Sequence, residues 1–450
     1  MVTRDDLIGA AVLSGIFLTV LVVAELWRRL GQPKPEWTRK LIHMGGGVTC
    51  LFFPFLVRSP WVVLAMALAM SGLFAGAAHG RLLRSLHGVR RRSHGAEFYP
   101  LAIFLVFLMA GDRSWLYLAA VLVLAVADAF AALIGSRYGV IRYQVEDEHR
   151  SLEGSLVFLV VAFLAVHLPT LLLTDVPRVT CVLAAVLVAI LATGFEAISL
   201  HGADNLFVPL AVVVILRKIT SLSVPEVVFQ NLSLVGICVG IAVVVWCWPF
   251  FTLGATIAII LYAYGAWFLA SWQWALPIFA GLLCYLVAWA WRTRPGPATR
   301  IRVRALAHAL LPPFVILVVA NSTRSGTPCY GAYLAANAAV LAFSLSNPVW
   351  HLERYVGWRK IAGVVGVTLI ATAAIGLPPW LIRGAVTPGV LVAIAALVLP
   401  STWLVAHLER NRPGPSTQDW TAGRFLLSFG VAGGIWLLEM LYLAPSWHPG

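Results

Sequence analysis

Acidic residues nearly vanish from the second half of this 450-residue chain. Fourteen of its nineteen carboxylates lie at or before Asp204. Between Asn205 and Gln418 there is no aspartate, and the only glutamates are Glu226, Glu353 and Glu409. Chemistry that needs acidic metal ligands therefore belongs to the first half. Charge of either sign is scarce, at 11% of residues against 60% hydrophobic, and the mean hydropathy is +0.89. A water-soluble globule could not hide that much apolar surface. No GxxxxGK[ST] occurs, which excludes a P-loop as phosphate cradle, and HExxH, GxSxG and CxxC are also absent. The six cysteines (Cys50, Cys181, Cys238, Cys247, Cys284, Cys329) sit in or beside apolar runs. They read as small core residues, not as metal ligands or a disulfide framework. The first apolar run, 7–26, lacks a small-residue cleavage site after it and reads as a retained span, not a signal peptide.

What is present is a succession of apolar runs of roughly 17–25 residues, the length needed to cross about 30 Å of hydrocarbon as a helix. Spanning backbone must satisfy its own hydrogen bonds, so the expected fold is all-α: a polytopic integral membrane protein of about sixteen transmembrane helices. The fourth (97–111) and eighth (205–217) are short. The eighteen tryptophans suit membrane–water interfaces. The stretch "RKITSLSVPEVVFQ" is the expected boundary between two membrane domains, 1–222 and 223–450.

The net charge of +13 does not point to nucleic acid, because the cations sit in short loops between spans. Arg28, Arg29, Lys34, Arg39 and Lys40 follow span 1. Arg81, Arg84 and Arg90 to Arg92 follow span 3. Arg137, Arg142 and Arg150 follow span 5, and Arg292, Arg294, Arg300, Arg302 and Arg304 follow span 11. The positive-inside rule then puts these loops in the cytoplasm and the N-terminus outside.

Four polar clusters interrupt the first half, all on the cytoplasmic side of that topology. In "EWTRKLIHMGGG", Glu36, Arg39, Lys40 and His43 fall on one helical face. Arg39 and Lys40 can hold phosphate, while Glu36 and His43 can brace them or move protons. The blander reading is a basic anchor for anionic membrane lipid. In "ADAFAALIGSRYG", Asp128 stands within a span at a cost of about 2.5–3.5 kcal/mol. Gly135 and Gly139 end that helix in a loop able to approach a phosphate; the alternative is a structural pair between Asp128 and a neighbouring span's arginine. In "HRSLEGS", Arg150, Ser151, Glu153 and Ser155 open a helix whose N-terminus suits an anion. An ordinary cap by Ser151 is the alternative. In "EAISLHGADNLFVPL", Glu196 precedes Gly202, Asp204 and Asn205. The last two can ligate Mg²⁺, which favours one or two carboxylates plus substrate phosphates; the alternative is a simple turn.

The order E-x-x-R-K-x-x-H, D-A-x-A-A-x-x-G-x-x-Y-G, S-x-E-G-S and E-x(5)-G-x-D-N-x-x-V-P-L, over about residues 25–218, resembles the polyprenol kinase family, which includes dolichol and phytol kinases. The resemblance implies a kinase dependent on CTP or another NTP that phosphorylates an isoprenoid alcohol such as phytol, farnesol or a polyprenol. It implies that Asp128, Glu153 and Asp204 hold Mg²⁺ or another divalent cation and act in catalysis with His43. It also implies that Arg39, Lys40, Gly135, Gly139, Arg150, Ser151, Gly154 and Asn205 serve the nucleotide. Arg150 stands where that family usually has lysine, which changes a point charge to a fork. The segment 251–283 resembles the start of the phytyl-phosphate kinase family, but 336–348, "ANAAVLAFSLSNP", lacks the carboxylates of that family's next block. The second domain is therefore expected to be non-catalytic. The rival readings are a phosphatidate cytidylyltransferase-like enzyme, a transporter of an anionic lipid or solute, and a silent scaffold.

Overall fold

The computed structural model describes residues 2–33, 35–79, 95–290, 300–323, 326–351, 358–383, 386–408 and 422–443. The chain divides into two compact units, 1–232 and 233–450. The division falls inside a helix, past the turn at 220–223 that the sequence suggests as a boundary.

Unit 1 contains helices α1 (Arg4–Gly31), α2 (Pro35–Cys50), α3 (Phe53–Leu56), α4 (Pro60–His79), α5 (Gly95–Ala110) and α6 (Ser114–Tyr138). A β-hairpin follows, β1 (Arg142–Val145) and β2 (Glu148–Ser151), then α7 (Leu152–Leu173), α8 (Arg178–Ile198), α9 (Asp204–Ile219) and the start of α10 (Val224–Cys247). The hairpin amends the all-helical expectation: Arg142 pairs with Ser151 and Val145 with Glu148, antiparallel. Glu146 takes a left-handed conformation (φ 53°) to close the two-residue turn.

Among the described residues, ten helices are long and apolar enough to cross a membrane, by length and composition. Four more apolar helices are shorter, while α2 and α9 have only 16 residues each. Every expected span is a helix, but sixteen full crossings exceed what helix length supports. Of the short elements, α2 and α9 open with polar and charged residues, which shortens their apolar part. The cationic segments Arg81 to Arg92 and Arg292 to Arg294, on which the inside–outside expectation leans, lie outside the described residues.

At the end of unit 1 away from the polar clusters, Thr3 caps α1, its Oγ accepting from the Asp6 amide at 3.2 Å. Asp6 Oδ1 accepts from the amides of Arg58 and Ser59 at 2.7 and 3.2 Å, so one carboxylate ties the corner before α4 to the start of α1. Toward the other end, α2 packs on α1 and on the middle of α6; α5 packs on α4 and α9; α7 packs on α6 and α8.

In unit 2, α11 (Leu253–Leu269), α12 (Trp272–Ala290), α13 (Val303–Thr323), α15 (Trp358–Arg383), α16 (Pro388–Leu408) and α17 (Ala422–Leu438) accompany α14 (Gly326–His351). Between Cys329 and Ser346, 89% of α14 is buried. Its alanines lie on every face, which lets α12, α13, α15, α16 and α17 all approach it closely. Asn337 of α14 bonds the neighbouring helix, its Oδ1 accepting from Tyr262 Oη at 3.4 Å.

Candidate active site

The site is built where α2 meets a break in α6. Residues Val123–Ala127 of α6 form a single π-turn directly before Asp128. A π-turn inserts one extra residue, loosens the local hydrogen-bond ladder and turns the following side chain. Here the carbonyl of Leu124 accepts from His43 Nε2 at 2.9 Å. A carbonyl can only accept, so Nε2 carries the proton. Asp128 Oδ2 lies 3.2 Å from the same nitrogen and 2.7 Å from Lys40 Nζ. Lys40 is only 4% exposed. A cation buried that deeply needs a partner, and Asp128 supplies it. The α2 stripe is therefore no simple lipid anchor: one of its two cations is committed inward, to a carboxylate of α6. Arg39 acts on both His43 and Asp128 through space. The Glu36 side chain lies outside the described part of α2.

Gly47, one turn beyond His43, makes this approach possible. A methyl on it would fall 2.9 Å from Tyr99 Oη and would overlap the side chain of Ala125 in the π-turn. Tyr99, on α5, packs its ring edge-on to His43, with centroids 5.0 Å apart at 75°.

The second focus is the junction of α6, the hairpin and α7. Ser151 caps α7, its Oγ accepting from the Gly154 amide at 3.1 Å, so the cap reading of "HRSLEGS" is what the geometry shows. A methyl on Gly135 would fall 3.2 Å from Gly154 Cα, and one on Gly139 would fall 2.6 Å from Ser151 Cβ. Gly135, Gly139 and Gly154 thus let α6 and α7 touch backbone to backbone. Glu153 Oε1 accepts from the amides of Val140 and Ile141, both at 3.0 Å, and holds the loop leaving α6.

The third focus joins the hairpin to the α8–α9 corner. Arg150 Nη1 pairs with Glu196 Oε1, and its Nη2 donates to the Ser199 carbonyl at 2.9 Å. Glu148 Oε1 accepts from the His201 amide at 3.2 Å. His201 and Gly202 both have positive φ, 56° and 84°, and turn the chain into α9. Asp204 Oδ1 accepts from the Asn205 amide at 3.0 Å, and Asn205 Nδ2 donates to the Gly95 carbonyl at 2.9 Å, tying the start of α9 to the start of α5. Asp128, Arg150 and Lys40 all act electrostatically on Asp204. That places the four polar clusters around one end of unit 1.

Among the described residues, no group of three or more His, Cys, Asp or Glu converges as a metal site. Asp128, Glu153 and Asp204 therefore do not form one preassembled cluster, and Glu153 is engaged at the loop. Asp128 and Asp204 share a field. Two carboxylates completed by phosphate oxygens fit the donor set that Mg²⁺ prefers.

Among the described residues, Tyr99 Oη, Arg150 Nε, Glu153 Oε2 and Ser199 Oγ at this end are buried without a hydrogen-bond partner. Each such group costs about 1–3 kcal/mol if left unsatisfied. Their gathering beside a buried cation, an imidazole and two carboxylates suits a site that receives a polar ligand. The sequence reading missed Tyr99, Glu148 and Ser199. Glu148 and Tyr99 carry no periodic signal, and Ser199 acts through its carbonyl, which every residue has.

No family model and no solved structure matches the chain. Over 194 residues it is 36% identical to phytol kinase from Synechocystis sp., a match covering 42% of this chain and 82% of that relative. With most of that relative's length matched at this identity, the chain belongs to the phytol kinase family.

Proposed function

We propose that unit 1 transfers the terminal phosphoryl group of a nucleoside triphosphate, CTP before others, to the hydroxyl of an isoprenoid alcohol of the phytol, farnesol or polyprenol type. The reading is supported by the Lys40–Asp128–His43 cluster with Asp204 in its field, in a chain 36% identical over 194 residues to a phytol kinase. The substrate alcohol keeps its tail in the bilayer and its hydroxyl at the interface, while the nucleotide arrives from water. The positive-inside rule, applied to the loop cations of the sequence, supports a site on the cytoplasmic face.

Phosphoryl transfer asks a protein mainly for positioning and charge neutralisation. The alcohol oxygen attacks the terminal phosphorus, the bond to the bridging oxygen breaks, and a nucleoside diphosphate leaves. The alcohol's proton passes to Asp128, whose carboxylate Lys40 and His43 hold in place. Arg39, the stripe's other cation, offsets charge on the phosphoryl oxygens. Asp204, beside Asp128, is the carboxylate that would hold a divalent cation together with the phosphates; when bound, that ion neutralises phosphate charge. Arg150, paired with Glu196, and Glu153, on the loop amides, keep the hairpin and the helix ends around the phosphates. Unit 2 is assigned no transfer chemistry, since its described part has few carboxylates.

The test is incubation of the full chain in nanodiscs with labelled CTP, ATP, GTP and UTP against a panel of isoprenoid alcohols. A labelled lipid monophosphate with stoichiometric nucleoside diphosphate is expected. Pyrophosphate release would indicate a cytidylyltransferase instead, and solute uptake without nucleotide consumption a transporter.

A further inference from the structure

Unit 2 carries a cavity of about 140 Å³ among its helices. Its walls are mostly apolar: Ile259 of α11, Leu282 of α12, Leu306 of α13 and Leu341 of α14 all line it. An apolar protein cavity of about that size stays dry and admits a benzene-sized group. The space therefore holds a stretch of one hydrocarbon chain, and two chains side by side exceed it. It is not sealed, so the rest of a chain has a way out.

The two ends of the cavity differ. At one, Tyr262 Oη donates to Asn337 Oδ1 at 3.4 Å, and Asn337 Nδ2 donates to the Tyr333 carbonyl at 2.9 Å. Those polar groups are engaged between the helices. At the other end, the Ile301 amide donates to the Phe250 carbonyl at 2.8 Å and the Thr252 amide to the Ile301 carbonyl at 2.9 Å, which pins the starts of α11 and α13 together. The start of α17 reaches this end too. Ala432 packs on Ala332 and Ala336, and Glu439 lies against Gly331, so α17 runs antiparallel to α14. That brings its third residue, Arg424, level with Ser344. Both line the cavity, and Arg424 is only 6% exposed. From Ser344 back to Asn337 is seven residues of helix, about 10 Å.

Three helix starts and a buried guanidinium make this end positive. Arg300 and Arg302 flank Ile301 in the chain and add to it. A guanidinium carries five N–H donors in a planar fork, so Arg424 can take two oxygens of an anion beside the contacts it already makes. A cationic end above an apolar length fits an amphiphile, with its head at Arg424 and its chain toward Tyr262.

We propose that this cavity binds a single-chain anionic lipid, its phosphate or carboxylate held by Arg424 and its first carbons against Leu306 and Leu341. Two sources supply such a molecule: the isoprenyl monophosphate that the proposed reaction yields, and a free fatty acid of the membrane. The first source rests on the kinase reading. The site itself rests on the geometry of unit 2 alone.

The test uses the full chain in nanodiscs and a phytyl monophosphate with a diazirine in its chain. After irradiation, the labelled residues are read by mass spectrometry. Label is expected on α11, α13 and α14 at the cavity, displaced by unlabelled phytyl monophosphate or by palmitate, and not by phytol or inorganic phosphate. Displacement at a lower concentration of phytyl monophosphate than of palmitate names the reaction product as occupant; the reverse order names a fatty acid. Arg424→Gln should cut this label about ten- to a hundredfold, the worth of hydrogen bonds to a charged group, and Arg424→Lys should keep most of it. Ala309→Phe fills the apolar length and should remove the label with Arg424 in place. Arg424→Lys and Ala309→Phe should melt within a few degrees of the parent. Displacement by phytol as effective as by its monophosphate, or unit 2 label unchanged in Arg424→Gln and Ala309→Phe, overturns the site. Unit 2 label in a chain that phosphorylates no alcohol defeats the kinase reading and leaves the site standing; turnover without unit 2 label does the reverse.

Discussion

Lys40 Nζ and Asp128 Oδ2 are 2.7 Å apart although 88 residues separate them in the chain. This pair joins α2 to the helical break of α6, where His43 also meets Asp128. Lys40 is buried, while the Asp128 side chain keeps about a fifth of its surface open.

Breaking the pair is expected to cost more than removing it. Lys40→Met or Asp128→Asn leaves one uncompensated partner and should destabilise by about 3–5 kcal/mol. Lys40→Met combined with Asp128→Leu should recover most of that stability. All three should be inactive in phosphoryl transfer. Thermal unfolding in detergent read beside turnover checks both halves; single variants as stable as the parent would show that the pair bears no structural weight.

Glu153 separates a structural from a chemical role through its two oxygens. Oε1 holds two loop amides, and Oε2 is buried without a partner. Glu153→Gln keeps an acceptor for the amides and should melt within a few degrees of the parent, yet lose at least tenfold in turnover. Glu153→Ala loses both functions and should be destabilised by about 1–3 kcal/mol as well. Full turnover in Glu153→Gln would confine this residue to holding the loop.

Gly139→Ala introduces a methyl against Ser151 Cβ and the Gly135 carbonyl. Neither is the far end of a flexible side chain, so the junction of α6 and α7 must open. The expected loss is about 1–3 kcal/mol, the usual range for overpacking, seen as a lower melting temperature. An unchanged melting temperature would mean that the two helices are not in close contact at this point.

Chelation should stop catalysis without unfolding the protein. No three-ligand cluster is preassembled among the described residues, so a divalent cation would bind mainly through substrate phosphates with Asp204 beside Asp128. EDTA is therefore expected to abolish turnover, with recovery on adding Mg²⁺, while the melting temperature of the nucleotide-free protein stays constant. A large fall in that melting temperature would reveal a structural metal instead.

Much of the site is legible in the sequence because helical spacing is local. Arg39, Lys40 and His43 share a face by counting alone, and Asp128 attracts notice as a carboxylate in an apolar run. Ser151 reads as a cap from its place two residues before Glu153. The hairpin is harder to see. Arg142 to Ser151 is short and charged, with no apolar alternation to mark it as strand, and its stability comes from Arg150 on Glu196 and Glu148 on the His201 amide. Tyr99 is invisible for a different reason: nothing in "GAEFYP" distinguishes a ring packed against lipid from one packed against an imidazole.

By itself, the amino-acid sequence determined that this chain is helical and apolar, that its carboxylates gather before Asp204, and which residue types stand at the polar interruptions. Those are properties of composition and of neighbours within a turn or two. Only the tertiary structure decided that Lys40 would be spent on Asp128, that Gly135, Gly139 and Gly154 would bring two helices together, and that Tyr99 would be left with an unused hydroxyl. Partners 46 to 88 residues apart are chosen by how helices pack, and packing depends on the shape of every side chain between them.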